Sequence, residues 1–525
     1  MKNNMIRMMS KITKKLMACA IVCAGCSTHA IAQGWTPAGM EWLKEQRLWF
    51  QSQNAAGTVF DNTDNYSDVK LNYQRTGSNY ARPQEGAEEQ AIGVSSEGFL
   101  DLGDAYVWGA FSFMQENKWD AGYNASITDP FRGMPYYVAD KYLSDWRNQH
   151  YDLSFRAATP LYWNRVAFGL EGTYQASLAA KQRDPRVDTR FYNLELKPGV
   201  TVAMNERHRV GANFIYASIK EDSRMSNSDT YTDQDYYELY GLGVAVAGIG
   251  AGRTTNYHGD KVGAAAQYSF SGPAVDVLLE GSYTMKVENV EVSYTSPKKD
   301  AAVNDQTAQA ALSLVKRGKS LSHSLRLGYT YRHIDGIQYI NQRDNSESQT
   351  GWMELYHNIR STYETNAVEA AYSIVRPRGH EYDWRVGLTA RYEKQDDVYL
   401  MPRSTKNHEN LYVGVNGKKN FALGEKLTRR LLVGAHAGYN KNLSGGYRYG
   451  GSHADYVTVT AMEAVDALYL TSNYYRLGLS ATYSQQLKAH SRTHLFAKAA
   501  FDYTHAQGDV FSHRSVLSVS LGCNF

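Results

Sequence analysis

The chain has 525 residues, with 56 Lys and Arg against 53 Asp and Glu, 43% hydrophobic residues and a mean hydropathy of −0.51. That polarity excludes a bundle of membrane-spanning helices, and an aromatic share of 12%, with 40 tyrosines, excludes a disordered chain. Forty-three glycines against 11 prolines favour many strands with close backbone approach.

Residues 1–32 read as a cleaved secretory signal peptide. Lys2, Arg7, Lys11, Lys14 and Lys15 give a basic start without an acid, an apolar run covers 16–25, and Ala30-Ile31-Ala32 precedes Gln33. The run is too short to span a bilayer. Losing these cations turns the formal charge of +3 slightly negative, so no nucleic-acid partner is expected. Cys19, Cys23 and Cys26 fall in the leader, and Cys523 alone cannot build a disulfide framework. A lipid anchor at Cys26 is disfavoured by Cys23, where such signals carry Leu.

Residues 33–65 form a helical, plug-like segment. Thr36 caps and Pro37 opens a helix whose one face carries Met40, Leu43, Arg47 and Phe50, with Trp42 and Trp49 beside it. Asn54-Ala55-Ala56-Gly57 is the expected stop. The segment is read either as a plug inside a barrel or as a helix on its periplasmic rim. It is too short for the globular plug domain of an energy-coupled TonB-dependent receptor.

From residue 66 to 525 no stretch offers 18 consecutive apolar residues, which leaves a soluble secreted protein or a closed barrel. Alternation of period two over about ten residues recurs along the chain. In 324–332, Leu325, Leu327, Tyr329 and Tyr331 oppose Ser324, Arg326, Gly328, Thr330 and Arg332. In 384–393, Trp384, Val386, Leu388, Ala390 and Tyr392 oppose Arg385, Gly387, Thr389, Arg391 and Glu393. Tyr or Trp often ends the apolar face, as at Tyr174, Tyr216, Tyr439, Tyr483 and Tyr503, where an amphipathic ring suits a bilayer boundary. Strands of a soluble sandwich are shorter. The expectation is an all-β fold, a single antiparallel transmembrane outer-membrane β-barrel of about 18 strands, within a range of 14 to 18. Short turns at 102–104, 205–207, 271–273 and 423–426 would face the periplasm. Longer connections at 117–150, 221–260, 396–408 and 440–468 would face outward.

The outer loops carry little chemistry. Trp119, Tyr123, Phe131, Tyr136, Tyr137, Tyr142 and Trp146 in 118–149 suit a packed lid better than a sugar-stacking surface. Asp229, Asp233 and Asp235 in the acidic stretch 221–238 are candidate Ca²⁺ ligands, but without the glycine-turn register of an EF-hand a solvated loop is preferred. The Gly-rich run 241–252 has Val246 where a nucleotide loop needs its third glycine, so it is read as helping the loop fold back or into the lumen. No nucleophile or zinc motif is present, and His436 and His494 stand isolated, so no enzyme, cofactor or resident metal is expected.

The faces opposite the aromatic-ended ones would line the lumen. They offer Arg209, Asn213, Arg326, Arg332, Arg385, Arg391, His436, Arg476 and Lys498, with Glu171 and Asp502 as acids. A wall of both signs is either water-lined or internally salt-bridged. In the last strand Leu517, Val519, Leu521, Cys523 and Phe525 share the lipid face. Leu517, Val519, Leu521 and the terminal Phe525 resemble the signal by which bacterial outer-membrane barrels are read by the barrel-assembly machinery through strand pairing.

The leader ending Ala30-Ile31-Ala32-Gln33, the Tyr-rich strands and the final 518–525 resemble Bacteroidota outer-membrane barrels. Glu41-Trp42-Leu43, Leu48-Trp49-Phe50 and Asn54-Ala55-Ala56-Gly57 are similar to the start of one such family, known only as a domain of unknown function. The resemblance implies a bacterial outer-membrane location and, by association, a nutrient-uptake setting, with no activity attached. The leading functional expectation is a passive channel or diffusion transporter for small polar solutes. The alternative is a non-transporting barrel that docks another outer-membrane protein or displays a binding surface, and an outer-membrane hydrolase ranks third. The expected partners are outer-membrane lipid, the assembly machinery and, in the alternative, another outer-membrane protein.

Overall fold

The computed structural model describes residues 35–61, 64–229, 231, 234–250, 252–293, 296–346, 349–424, 428–488 and 491–525. The signal-peptide reading of 1–32 lies outside them.

Alternating side chains put one face of each strand in oil and the other in water, and a strand in oil needs a hydrogen-bonded neighbour on both edges. The chain meets both demands with 18 antiparallel strands that close on themselves. They are β1 (Tyr66–Ser78), β2 (Glu88–Asp101), β3 (Tyr106–Ala121), β5 (Ser144–Ala158), β6 (Val166–Lys181), β7 (Arg186–Ala203) and β8 (His208–Ser226). The wall continues with β11 (Gly252–Ser271), β12 (Val275–Val292), β13 (Lys298–Lys316), β14 (Ser322–Ser346), β15 (Gln349–Arg378) and β16 (Glu381–Tyr399). It ends with β17 (Ser404–Gly424), β18 (Arg429–Arg448), β19 (Asn473–Gln486), β20 (His494–Gln507) and β21 (His513–Asn524). Neighbours in this series are neighbours in the wall, and β21 returns to β1 with Asp68 opposite Asn524 and Ser78 opposite Arg514.

Three further strands, β4 (Val138–Ala139), β9 (Gln234–Gly241) and β10 (Val244–Gly250), form a small separate sheet from two outer loops. Among the described residues the helices are few: α1 (Pro37–Glu45), α2 (Ala464–Leu470) with a π-helical turn before it at Thr458–Glu463, and 3-10 turns at Trp49–Gln51 and Ala55–Phe60.

The outward faces carry the apolar belt. Leu279, Leu327, Val386, Leu388, Val413, Val415 and Leu479 are all exposed on the barrel exterior, as are Leu517, Val519 and Leu521 of β21. Tyr174, Tyr216, Tyr439 and Tyr483 stand exposed among them. Both ends of the wall lie at the short-turn end, where 102–105, 204–207 and 272–274 link strands.

The strands outrun the expected segments. Residues 396–408, expected as an outer loop, are the ends of β16 and β17 joined by a turn at 400–403. Alternation marks a strand only while one face meets lipid; above the bilayer both faces are polar and the pattern stops. β14 and β15 run 25 and 30 residues where about 9–11 suffice to cross a bilayer, so this hairpin stands well beyond it.

Leu388 sits midway between Trp384 and Tyr392 on the lipid face. Leu388→Arg is expected to cost about 2–4 kcal/mol at the bilayer midplane, read as a lowered denaturant midpoint for the barrel folded in vesicles.

Candidate functional site

The lumen is divided in three: a floor built by residues 35–61, a roof built by outer loops, and a polar chamber between them.

The floor starts with the capped helix. Gly39 N–H donates to Thr36 Oγ1 at 3.1 Å, and Thr36 Oγ1 donates to Glu381 Oε2 at 2.9 Å, so the cap ties α1 to β16. One side of the segment packs Trp35 and Met40 on Tyr66 and Phe99, with the Arg47 guanidinium 4.8 Å from the Tyr66 ring centre. The other side packs Ala38 and Trp42 on Val375, Tyr382 and Leu432. Glu41 takes Lys418 Nζ at 2.8 Å and the Tyr382 hydroxyl at 2.6 Å. Burial works to raise the Glu41 carboxyl, but Lys418 and these hydrogen bonds outweigh it and hold the group below its ordinary range.

The helix stops at Glu45, short of the expected stop at Asn54. The reason is tertiary. Asp61 accepts the N–H groups of Trp49 at 3.0 Å and Phe50 at 2.7 Å, which fold the chain into a separate tight turn. Asn54 then caps the second 3-10 turn, accepting the Ala56 N–H at 3.0 Å.

That second turn is the main anchor. Asn54 Nδ2 donates to Val200 O, Ala212 O and Gln267 Oε1 at 3.0–3.2 Å. Thr201 Oγ1 donates to Ala56 O at 3.1 Å, and Arg156 donates to Phe50 O and Ser52 O. Two wall glycines make this approach feasible: a Cβ at Gly169 would lie 2.2 Å from Ala56 N, and one at Gly199 2.3 Å from Asn54 Oδ1.

The roof joins the two long loops whose meeting the sequence left open. β4 of one pairs with β9 of the other, Val138 opposite Glu238 and Ala139 opposite Tyr237. Gly241, Leu242 and Gly243, all at positive φ, turn the β9–β10 tip inward onto Tyr363, Tyr447 and Thr458. The Gly-rich run thus makes a tight insertion over the lumen. Arg132 is buried between two fully buried carboxylates, Glu221 at 2.9 Å and Glu288 at 2.8 Å. The third outer loop brings Asp466, which takes Arg82 at 2.6 Å and Lys406 at 2.9 Å; these cations outweigh burial and hold its carboxyl well below the ordinary range. The aromatic loop side chains pack as a lid: Tyr136 is buried with Ile127 and Val303, Trp146 with Val187, and Phe131 lies 3.9 Å under the Arg82 guanidinium.

Of the candidate Ca²⁺ ligands, Asp233 lies outside the described residues. Asp235 pairs with Lys141 at 2.6 Å, and Asp229 Oδ1 accepts the Tyr231 N–H. Among the described residues no three His, Cys, Asp or Glu side chains are grouped to hold a metal ion.

The wall candidates divide by what they touch. Glu171 pairs with Arg156 at 2.7 Å and Lys197 at 3.2 Å, Asn213 accepts from Gln267 at 2.8 Å, and Arg209 stacks 4.5 Å from the Phe60 ring centre. Arg385 reaches Glu45 at 3.3 Å. These residues support the floor. Arg332 supports the roof, bound to Asp305 at 2.7 Å and to Arg132 O at 2.8 Å. Arg391 meets Glu369 at 3.4 Å and also Glu393; Arg476 and His436 converge on Asp502 at 2.8 and 2.9 Å. Arg326 and Lys498 have no hydrogen bond or ion pair among the described residues.

The chamber has a volume of about 780 Å³. Arg326, Arg391 and Arg476 line it together with Glu369, Glu393 and Tyr412. Tyr412 lies flat on the wall because its neighbours are glycines: a Cβ at Gly438 would fall 2.1 Å from its hydroxyl. The sequence reading missed Asn54, Glu369 and Tyr412. Only the glycines facing them on adjacent strands signal such close approaches.

A family model matches residues 55–525, and its description is a family of unknown function, DUF6850. The chain belongs to this family. None of the curated proteins compared matches it. Among solved structures it is similar to the outer membrane protein opdK of Pseudomonas aeruginosa, at 12% identity and a TM-score of 0.36, covering 88% of this chain and 99% of that one. It is also similar to the ferric yersiniabactin uptake receptor FyuA of Yersinia pestis, at 9% identity and a TM-score of 0.42, covering 88% and 79%. These likenesses concern the fold alone.

Two outcomes follow from the floor and the roof. Burial raises the Asp61 carboxyl to about 7, against the two N–H groups and nearby Arg47 and Arg156 that lower it. Its folded value exceeds its free value of about 4, so its contribution to docking is complete below pH ~4 and lost as pH rises through about 7. Hydrogen exchange at Trp49 and Phe50 is expected to quicken over that window, and Asp61→Asn to flatten the dependence. In the roof, Arg132→Met leaves the buried Glu221 without its cation, while Glu288 keeps Lys286 at 3.2 Å; the loss costs about 3–5 kcal/mol and is expected to expose 122–143 to protease in a barrel that stays folded.

Proposed function

We propose that the chain is a bacterial outer-membrane channel that passes small polar solutes by diffusion, with residues 35–61 as an internal plug and the outer loops as a lid. The observation that carries this reading is the polar chamber of about 780 Å³ between the two closures. A barrel that served only as an anchor has no use for such a space, and its volume lies within the range of small-molecule sites. The floor is held by hydrogen bonds, ion pairs and aromatic packing on the wall and shares no strand pairing with it, so it can be released without breaking the barrel. Leu517, Val519, Leu521 and Phe525 on the edge that closes against β1 serve as the signal to the assembly machinery, and the apolar belt takes outer-membrane lipid. No catalytic role is assigned.

One observation favours the docking alternative. The β14–β15 hairpin stands beyond the bilayer and exposes Ile340, Trp352, Met353, Leu355 and Tyr356. Exposed apolar clusters of this kind mark protein contacts.

Planar-bilayer recording tests the channel. The full chain without residues 1–32 is expected to give small steps, and a chain also lacking 35–61 markedly larger ones. Silence from both, each shown to be a closed barrel by heat-shifted gel mobility, overturns the channel in favour of docking.

A further inference from the structure

The floor is not seated evenly. Toward β5–β8 it meets the wall closely, Ala56 backbone on Gly169 and the Asn54 side chain on Gly199, with Asn54 hydrogen-bonded on several sides. Toward β13–β16 the contacts run through side chains: Thr36 to Glu381, Glu41 to Tyr382 and Trp42 on Val375, and then, at the end of α1, Glu45 to Ser324, Ser373 and Arg385. Beside it lies a second cavity of about 310 Å³, bounded by Glu45, Leu48 and Gln51 of the floor. The chamber above and this cavity share the same five lining residues, Gln51, Ser313, Arg326, Ala371 and Thr389. Four of these belong to the wall, and three of the four are small, which opens the gap. Below it, Leu48 also borders the cavity of about 570 Å³ under the floor.

Arg326 stands at the junction of the upper two spaces. Its side chain is exposed to the lumen and has no hydrogen bond or ion pair among the described residues. The other chamber cations are already met: Arg391 by Glu369 and Glu393, Arg476 by Asp502. The guanidinium that feels a carboxylate, Glu45, only beyond pairing distance therefore marks the threshold. Its flat fork of donors matches two oxygens of a carboxylate or a phosphate. One guanidinium without a direct pair, among the carboxylates Glu280, Glu369 and Glu393 that repel further negative charge, suits a monoanion better than a dianionic phosphate.

We infer that solute passes eccentrically, through the gap between the floor and the β13–β16 wall, and that Arg326 selects there for small monoanionic carboxylates. This rests on the channel reading and adds to it a route and a substrate class.

The test uses the full chain without residues 1–32 in planar bilayers under a potassium acetate gradient. Near 1 M salt the screening length is about 3 Å, so only charges on the route itself shift the zero-current potential. The wild type is expected to prefer acetate over potassium, Arg326→Gln to lose the preference, and Arg326→Glu to reverse it. Lys498→Glu, on the lumen face but outside the lining of both cavities, is expected to leave it unchanged. Thr389→Trp is expected to cut conductance by filling the gap, which provides a reading independent of charge. If the wild type conducts but the Arg326 variants keep its selectivity, or Lys498→Glu shifts it as much, or Thr389→Trp conducts normally, the eccentric route is wrong while the channel stands. If no variant and no wild type conducts, the channel reading fails and the route falls with it.

Discussion

Closure of β21 on β1 is the bond on which everything else depends. An open sheet in hydrocarbon would leave a row of unpaired N–H and C=O groups on each edge. Pairing from Asp68–Asn524 to Ser78–Arg514 removes both edges at once. With the wall closed, the pleat assigns every second residue to lipid and every other one inward. An 18-stranded wall is too wide for its own side chains to fill. What occupies the interior must come from elsewhere in the chain, here from before the first strand and from the outer loops.

The two fillings are held by different physics. The floor relies on close backbone approach, with glycines in the wall and Asn54, Thr201 and Arg156 supplying the hydrogen bonds. The roof relies on buried charge. Arg132 between Glu221 and Glu288, and Lys181 against Asp140, sit in places where an unpaired charge would be costly. Such pairs add little net stability over apolar packing, but they admit one arrangement of the loops and penalise the others. The chamber between carries charged and polar side chains around open space, which is what distinguishes it from both closures.

Much of the fold was legible because oil on one side and water on the other writes a period of two into the residues. Leu325, Leu327, Tyr329 and Tyr331 declare a strand without any knowledge of their neighbours, and the count of 18 followed. Where that contrast ends the pattern ends too, so the tops of β16 and β17 read as a loop. The inner site was less legible. The sequence shows that Arg326, Arg391 and Arg476 face inward, but not that Glu369 and Asp502 neutralise two of them and leave the third. Asn54 read as the end of a helix because its partners lie between 146 and 213 residues away. The meeting of the two long loops rests on two residue pairs, Val138–Glu238 and Ala139–Tyr237, which no local rule announces.

Trp35 O accepts a hydrogen bond from Asn524 Nδ2, while Asn54 is clasped by strands β7, β8 and β11. The segment that precedes the first strand therefore has its complete seat only when the last strand has joined the first. Order of synthesis and order of fitting run in opposite directions. A barrel that stalls one strand short has nowhere complete to receive its floor, so a seated floor certifies a finished wall.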